Sequence, residues 1–159
     1  MESEEVKVNS IRELEFPNNE KKYLGEGASG CVKLVRHKRL DRFFALKQIS
    51  LEKQTNSRMS QEKKVFYALT QLELIKREIK LHKQLIHPNI IRLYDYFKVK
   101  ANIFLLMEWA QKGNLFNILK TETKLEESVA ARYFWQTCKG IEYLHSKQVI
   151  HRDLKVFEA

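Results

Sequence analysis

Apolar residues in the first two thirds of the chain fall in short segments that polar turns separate. Residues 31–35 and 43–49 are two such segments, and a polar turn at 37–41 joins them. Residues 90–99 and 103–107 form a second pair across a shorter turn. Segments of this length, rich in β-branched and aromatic side chains, predict four strands in two hairpins.

Three other stretches predict helices, because their apolar residues recur every three or four positions. The first helix has a shared face of Val65, Leu69, Leu72, Ile75, Ile79, His82 and Ile86. Pro88 stops it. A short helix opens at Gly113 and runs towards Lys120, and a longer one carries its apolar face from Val129 to Leu144. The predicted order along the chain is strands, one helix, strands and then helices. This order predicts an α+β fold with two segregated parts, not a parallel βαβ repeat.

The first twenty residues differ from the rest of the 159-residue chain. They hold few apolar side chains, six acids and two bases. Pro17 and the two asparagines after it are residues typical of a turn and end this segment. We therefore expect residues 1–20 to be an N-terminal tail. The net charge of +9 then belongs to the remainder, which has 27 bases and 14 acids.

Such a basic body could bind nucleic acid or an acidic membrane surface. However, no basic run exceeds a few residues, and no aromatic interleaving is typical of base stacking. No apolar run approaches the ~18 residues of a membrane span, and the acidic start is unlike a secretory signal. The two cysteines cannot form a disulfide framework, and neither has a metal-binding pattern. We expect an intracellular chain with no membrane association and no metal ligands, and we favour solvated basic faces over nucleic acid binding.

One glycine-rich segment suggests phosphate binding. It has the pattern GxGxxGxV and consists of Gly25, Glu26, Gly27, Ala28, Ser29, Gly30, Cys31 and Val32. Because glycine has no Cβ, backbone N–H groups at this spacing can approach a phosphate. A plain hairpin turn explains the segment equally well. A dinucleotide-binding fold would need a helix after the loop, whereas a strand is predicted here. A loop between two strands is similar to the phosphate lid of protein kinases.

The next strand and helix supply the residues that this similarity requires. Lys47 follows Ala45 in the place of the kinase lysine that holds the α and β phosphates of ATP. Glu78, nine residues before a His-Pro-Asn sequence, best matches the glutamate that pairs with that lysine. Glu73 and Glu62 are the alternatives. On these residues the chain resembles a protein kinase domain.

The segment after the last predicted strand resembles the kinase hinge. Met107 would be the gatekeeper, and the backbone of Glu108 and Ala110 would hydrogen-bond adenine. Backbone recognition leaves little trace in a sequence, so this assignment depends on its flanking segments.

His151-Arg152-Asp153-Leu154-Lys155 resembles the kinase catalytic loop. Asp153 would accept or orient the proton of the substrate hydroxyl, and Lys155 would lie against the γ-phosphate. A lysine two residues after that aspartate implies serine/threonine rather than tyrosine specificity.

The resemblance covers about residues 20–155. It implies an α+β, protein kinase-like fold with an antiparallel-sheet small lobe, one main helix and the first helices of a helical large lobe. We expect a small lobe with the hinge at 21–110 and a partial large lobe at 111–159. Residues 85–97, 107–110 and 143–150 are similar to the Aurora group. The kinase resemblance implies ATP as a cofactor, Mg²⁺ in the full-length form, and an activator protein at the small lobe. We expect a cytoplasmic or nuclear location, and the Aurora likeness alone implies the spindle or centrosome. It leaves the protein substrate unidentified.

The resemblance stops within a motif. The family continues its catalytic loop with a proline and a magnesium-binding asparagine, whereas Lys155 is followed by Val156-Phe157-Glu158-Ala159. The Asp-Phe-Gly magnesium ligand does not follow either. A short splice form, a retained intron and a gene-model error are equally compatible with this break. Because positioned cations stabilise the transition state of phosphoryl transfer, we expect negligible transfer by these 159 residues alone. The alternative function is a non-catalytic fragment that acts as a binding or decoy module.

Overall fold

The first part of the fold is an antiparallel sheet. The structure, a computed structural model, describes residues 6–17, 23–27, 30–51 and 60–154. The strands in these ranges are β1 (Leu14–Glu15), β2 (Tyr23–Gly27), β3 (Gly30–His37), β4 (Arg42–Ser50), β5 (Leu93–Val99) and β6 (Asn102–Met107). Their order is β1-β3-β4-β6-β5, with β2 paired to the start of β3.

Three α-helices follow the predicted pattern. They are α1 (Gln61–Gln84), α2 (Leu115–Glu122) and α3 (Glu127–Ser146). The α+β class is therefore confirmed. α1 begins four residues before the first apolar repeat, because its opening turn is polar and leaves no periodic signal. Among the described residues, no helix combines the length and apolarity that a membrane crossing needs.

The chain divides into two compact units. The sheet unit consists of Met1–Gln84 and Arg92–Trp109, and the helical unit of Leu85–Ile91 and Ala110–Ala159. The loop before β5 thus belongs with the helices, although the sequence predicted a strand from residue 90.

The two faces of the sheet bury separate cores. One core lies under α1, where Ile75 and Ile79 pack with Ile49, Ile103 and Leu105. The other core lies on the opposite face and consists of Val6, Val8, Leu14, Val35, Phe44, Leu46, Phe97, Phe104 and Leu106. Alternation along the strands assigns each side chain to its face.

The second core includes part of the segment that we predicted to be a tail. Val8 is only 1% exposed, and Leu14 is paired through β1 with His37 on β3. A short 3₁₀-helix, Ile11–Glu13, is closed by a capping box between Ser10 and Glu13. Residues 6–17, called the N-terminal strap below, thus pack on the sheet.

In the helical unit, the loop Leu85–Ile91 packs on α3. The Ile86 amide donates to the Tyr143 hydroxyl at 3.1 Å, and the rings of His87 and Tyr143 stack with centroids 4.9 Å apart. Gly140 is buried against the Asn89 backbone, where a Cβ would lie 3.1 Å from the carbonyl oxygen. The close approach explains why glycine stands in the middle of this helix.

Candidate functional site

A row of four residues crosses the sheet and contains the candidate lysine. Gly25 on β2 is paired with Val32 on β3, Val32 with Lys47 on β4, and Lys47 with Leu105 on β6. Directly opposed residues in an antiparallel ladder point to the same face. Two strand spacings, about 10 Å, therefore separate the backbone of Gly25 from that of Lys47. The row brings the glycine-rich segment and the lysine to one surface.

A second row runs beside the first on the same face. Leu34 is paired with Ala45 and Ala45 with Met107. Ala45 is buried, whereas Lys47 and Met107 are half-buried. Met107 packs against the core under α1, which identifies the face as the one that α1 covers. Four of the residues predicted from the sequence, Val32, Ala45, Lys47 and Met107, therefore share a face.

Two glycines of the glycine-rich segment differ in their steric requirement. Gly30 has a φ of +132°, and a Cβ there would overlap the carbonyl oxygen of Gln48 on β4. Apart from its chain neighbours, Gly25 has no atom of the described residues within 4 Å of the position of a Cβ. The fold thus requires glycine at position 30 and leaves open space at position 25. Glu26 and Gly27 complete β2 opposite Cys31 and Gly30, while Ala28 and Ser29 lie outside the described residues.

The candidate glutamate lies beside the buried stripe of α1. Glu78 stands between Ile75 and Ile79, both buried, but its own side chain is exposed. Within the described part of the chain it forms no ion pair with Lys47. Two of the three candidate glutamates, Glu73 and Glu62, point away from the sheet, because successive residues of a helix are rotated by 100° about its axis. Of these, Glu73 pairs with Lys76 at 2.8 Å, and Glu62 lies in the exposed first turn.

The end of β6 is held by a reciprocal backbone contact. The Glu108 amide donates to the Arg92 carbonyl at 2.8 Å, and the Arg92 amide donates to the Glu108 carboxylate at 3.1 Å. Among the described residues, the Glu108 carbonyl accepts no hydrogen bond. Sequence reasoning missed Arg92, because its contribution comes from its backbone and gives no residue-type signal.

Ala110 begins the helical part of the chain. Its carbonyl accepts a hydrogen bond from the Gly113 amide at 3.0 Å, and Gly113 has a φ of +73°. This turn leads into α2, whose N-cap Asn114 accepts from the Asn117 amide at 2.8 Å. The Ala110 amide donates no hydrogen bond among the described residues.

The segment after α3 turns sharply before the candidate catalytic residues. The Val149 amide donates to the Leu144 carbonyl at 2.9 Å, which ends the helix. Arg152 has a left-handed backbone with φ of +65°, a conformation that non-glycine residues adopt at an energetic cost. Asp153 is exposed, and its amide donates to His151 Nδ1 at 3.2 Å. Lys155 lies outside the described residues.

The described residues contain no site suited to a metal ion. No group of three or more histidine, cysteine or carboxylate side chains lies together in the described ranges. The lysine, the glycine segment and the end of β6 are the groups that the sequence predicts for a nucleotide.

The chain belongs to the protein kinase family. The model of the protein kinase domain matches residues 18–157, which is most of the chain. This match accounts for the order of glycine segment, lysine, helix and catalytic loop described above.

Its relatives are serine/threonine kinases of several groups. Serine/threonine protein kinase OSK3 of rice (Oryza sativa subsp. indica) is 36% identical over 132 residues, covering 83% of this chain and 24% of the relative. An Aurora kinase of Schizosaccharomyces pombe is 34% identical over 134 residues, covering 84% and 34%. Serine/threonine-protein kinase SIK1 of Rattus norvegicus is 36% identical over 132 residues, covering 83% and 15%.

The Aurora likeness is thus confirmed, and other serine/threonine kinases share it to a similar degree. The chain spans about a quarter of the length of the rice relatives that it matches.

Proposed function

We propose that this chain is the nucleotide-binding part of a protein kinase that transfers the γ-phosphate of ATP to serine or threonine of a protein substrate. The row of Gly25, Val32, Lys47 and Leu105 carries the proposal, because it lines up the phosphate-binding residues on one face. The two compact units, which meet in sequence after Trp109, support a small lobe to about residue 110 and a partial large lobe at 111–159.

Lys47 and the glycine segment hold the phosphates in this proposal. Lys47 is half-buried and offers a positive charge on the face where Gly25 leaves open space. A phosphate is attracted to that charge and can come close to backbone N–H groups where no Cβ intervenes. Glu78 would orient Lys47 once α1 turns or shifts, since its side chain is exposed beside the buried stripe.

Adenine would bind at the end of β6. The amide and carboxylate of Glu108 are already bound by Arg92, which leaves its carbonyl as the acceptor for an amino group. By the family resemblance, the Ala110 amide would donate a hydrogen bond to adenine. Val32, Ala45 and Met107 offer apolar contacts to the ring.

Asp153 would orient the substrate hydroxyl and accept its proton, and Lys155 would hold the transferred group. The left-handed Arg152 supports this, because strained backbone is often found at functional sites. Magnesium, when bound, would neutralise phosphate charge in the full-length protein. Glu158 stands where the family has its magnesium-binding asparagine, and the sequence contains no Asp-Phe-Gly motif, so phosphotransfer by these 159 residues alone should be negligible.

The test is thermal unfolding of the purified chain with and without MgATP. A ligand that binds only the folded state raises the apparent stability, by about 2.7 kcal/mol at a hundredfold excess over Kd. We expect the shift to disappear in Lys47→Met. Lys33→Met is the matched control, because Lys33 lies on the neighbouring strand opposite Leu46, on the other face.

Equal shifts in the wild-type chain, Lys47→Met and Lys33→Met would contradict the assignment of Lys47. No shift in the wild-type chain at millimolar nucleotide would contradict nucleotide binding and favour the binding-module alternative.

An activator protein is proposed to bind a groove of about 460 Å³ in the sheet unit. Apolar side chains from the start of α1, including Val65 and Leu69, line it together with Lys64, Lys98 and Lys100. Such a surface suits a peptide with apolar side chains flanked by acids. The Aurora likeness motivates the proposal of an activator protein. It also motivates the proposal of an intracellular location. Lys98→Glu together with Lys100→Glu should abolish binding of an acidic apolar peptide in a fluorescence titration.

A further inference from the structure

One carboxylate contacts both α1 and the N-terminal strap. Asp95 lies on β5, and its Oδ1 accepts a hydrogen bond from Lys83 Nζ at 2.8 Å. Its Oδ2 accepts from the Val8 amide at 2.9 Å. Lys83 is in the last turn of α1, and Val8 is in the strap. The Asp95 side chain is 15% exposed and that of Lys83 is 38% exposed, so the contact with Val8 is partly buried whereas the contact with Lys83 is open to water.

Two further features of β5 lie next to these contacts. Asp95 follows the irregularity in the pairing of β5 with β6, between Leu93 and Asp95. Lys83 Nζ also lies 5.7 Å from the centre of the Tyr96 ring on the same strand. A carboxylate has two oxygens, and here each has a different donor. Displacement of either donor leaves a partly buried negative charge with half of its hydrogen bonds.

Helix α1 packs on the sheet core through apolar side chains. Ile75 and Ile79 are buried there, and the partly buried Leu72 packs against the same core. Apolar contacts are less directional than an ion pair, which fixes one end of the helix. Lys83 lies five residues after Glu78, so the end that Asp95 holds is the end nearer to the candidate glutamate.

The strap, in contrast, is bound at several places along its length. Val6 and Val8 are buried in the core on the other face of the sheet. Lys38 Nζ donates to the Arg12 carbonyl at 2.8 Å, and the Lys38 amide donates to the Glu13 carbonyl at 3.0 Å. The strap therefore presents the Val8 amide to Asp95 from a firm position.

We propose that Asp95 is a positioning residue that couples docking of the N-terminal strap to the position of α1. With the strap docked, the Val8 amide holds the carboxylate in the orientation that receives Lys83. Release of either partner weakens the binding of the other. The consequence for Glu78 and Lys47 rests on the proposed function, whereas the coupling itself does not.

Amide hydrogen exchange measures the coupling without nucleotide. Lys83→Met removes the ion pair and leaves the strap sequence unchanged. A partly exposed ion pair is worth up to about 1 kcal/mol, which corresponds to roughly fivefold in an opening equilibrium. We expect exchange of the Val8 amide and of the last turn of α1 to accelerate by about two- to fivefold. Lys83→Arg should restore the wild-type rates.

Lys76→Met is the matched control on the same helix. It removes the Lys76–Glu73 pair, which has the same 2.8 Å separation but no contact with the strap. Acceleration at Val8 in Lys83→Met and not in Lys76→Met would establish the coupling. Equal rates at Val8 in both variants would overturn it, whether both are accelerated or neither is. Because no nucleotide is present, a failure here is separate from a failure of the proposed ATP site.

Discussion

Replacement of Gly30 by alanine tests whether the glycine segment is shaped by the fold or by a ligand. The backbone φ of +132° is a region that L-residues rarely adopt. The added methyl group would overlap the Gln48 carbonyl oxygen and lie 3.0 Å from its carbonyl carbon. Both atoms belong to the backbone of β4, so no side-chain rotation can make room.

The expected loss of stability has two parts. Holding alanine in a sparsely populated backbone region costs about 1–3 kcal/mol. Forcing a methyl group into packed structure costs about 1–3 kcal/mol more, since the β3–β4 pairing must shift. The total of about 2–6 kcal/mol is a large part of the 5–15 kcal/mol that typically stabilises a domain.

Gly25→Ala is the matched variant in the same segment. Apart from the chain neighbours, no atom of the described residues lies within 4 Å of the new methyl group, and the φ of Gly25 is not in the positive region. We expect the free energy of unfolding to change by less than about 1 kcal/mol, because only the unfolded chain loses freedom. The proposed phosphate contact should weaken, since a Cβ would then stand in the open space.

Urea unfolding of the two variants and the wild-type chain separates these effects. Gly30→Ala should unfold at clearly lower urea, whereas Gly25→Ala should unfold at the wild-type midpoint but lose most of its shift with MgATP. A Gly30→Ala midpoint equal to that of the wild-type chain would refute the steric reasoning. Equal destabilisation by both variants would refute the division of the segment into a structural and a ligand-facing glycine.

Three further predictions concern other parts of the molecule. Tyr143→Phe removes the acceptor of a loop amide and should lower the free energy of unfolding by about 1 kcal/mol in urea; no change would show that the loop does not depend on α3. Val8→Ala should lower the free energy of unfolding by about 2 kcal/mol in the same assay. Val65 is half-exposed, so Val65→Ala should lower it by under about 0.5 kcal/mol; equal effects would show that the strap is an independent tail. The hydrogen bond from Lys76 lowers the pKa of Glu73 below its ordinary value, so this pair stabilises α1 above that ordinary pKa and is lost as the pH falls through the lowered one; the pKa of Glu73 measured by NMR should rise in Lys76→Met, and an unchanged pKa would contradict the pairing.

Much of the fold could be predicted from local patterns. The short apolar segments 31–35 and 43–49 and the apolar repeat of α1 are signals within one element, and the structure contains those elements. The strap gave no such signal. Val6 and Val8 are isolated between polar residues, and their neighbours in the core, such as Phe97 and Leu106, lie about ninety positions along the chain. Burial that depends on distant partners leaves no period to detect.

Some residues of the candidate site could likewise be predicted from the sequence, and others could not. Lys47 and Gly25 could be found because residue type and spacing carry their chemistry, and strand register then gives them a common row. Arg92 could not be found, since it acts on Glu108 through its backbone. Whether Glu78 reaches Lys47 depends on the rotation and sliding of α1, and a sequence does not specify either.

The position of α1 therefore links the strap to the proposed chemistry. A lysine and a glutamate meet only if the helix that carries the glutamate lies at the right height and angle on the sheet. The apolar contacts of Leu72, Ile75 and Ile79 are not directional, and the Lys83–Asp95 pair restricts the height and angle of the helix at one end. Because Asp95 also binds Val8, any event that lifts the strap changes the free energy of each α1 position. By linkage, a partner that draws Glu78 towards Lys47 must also change how tightly the strap is held. The described residues thus combine a site that α1 must complete with a segment that can influence α1 from the opposite face of the sheet.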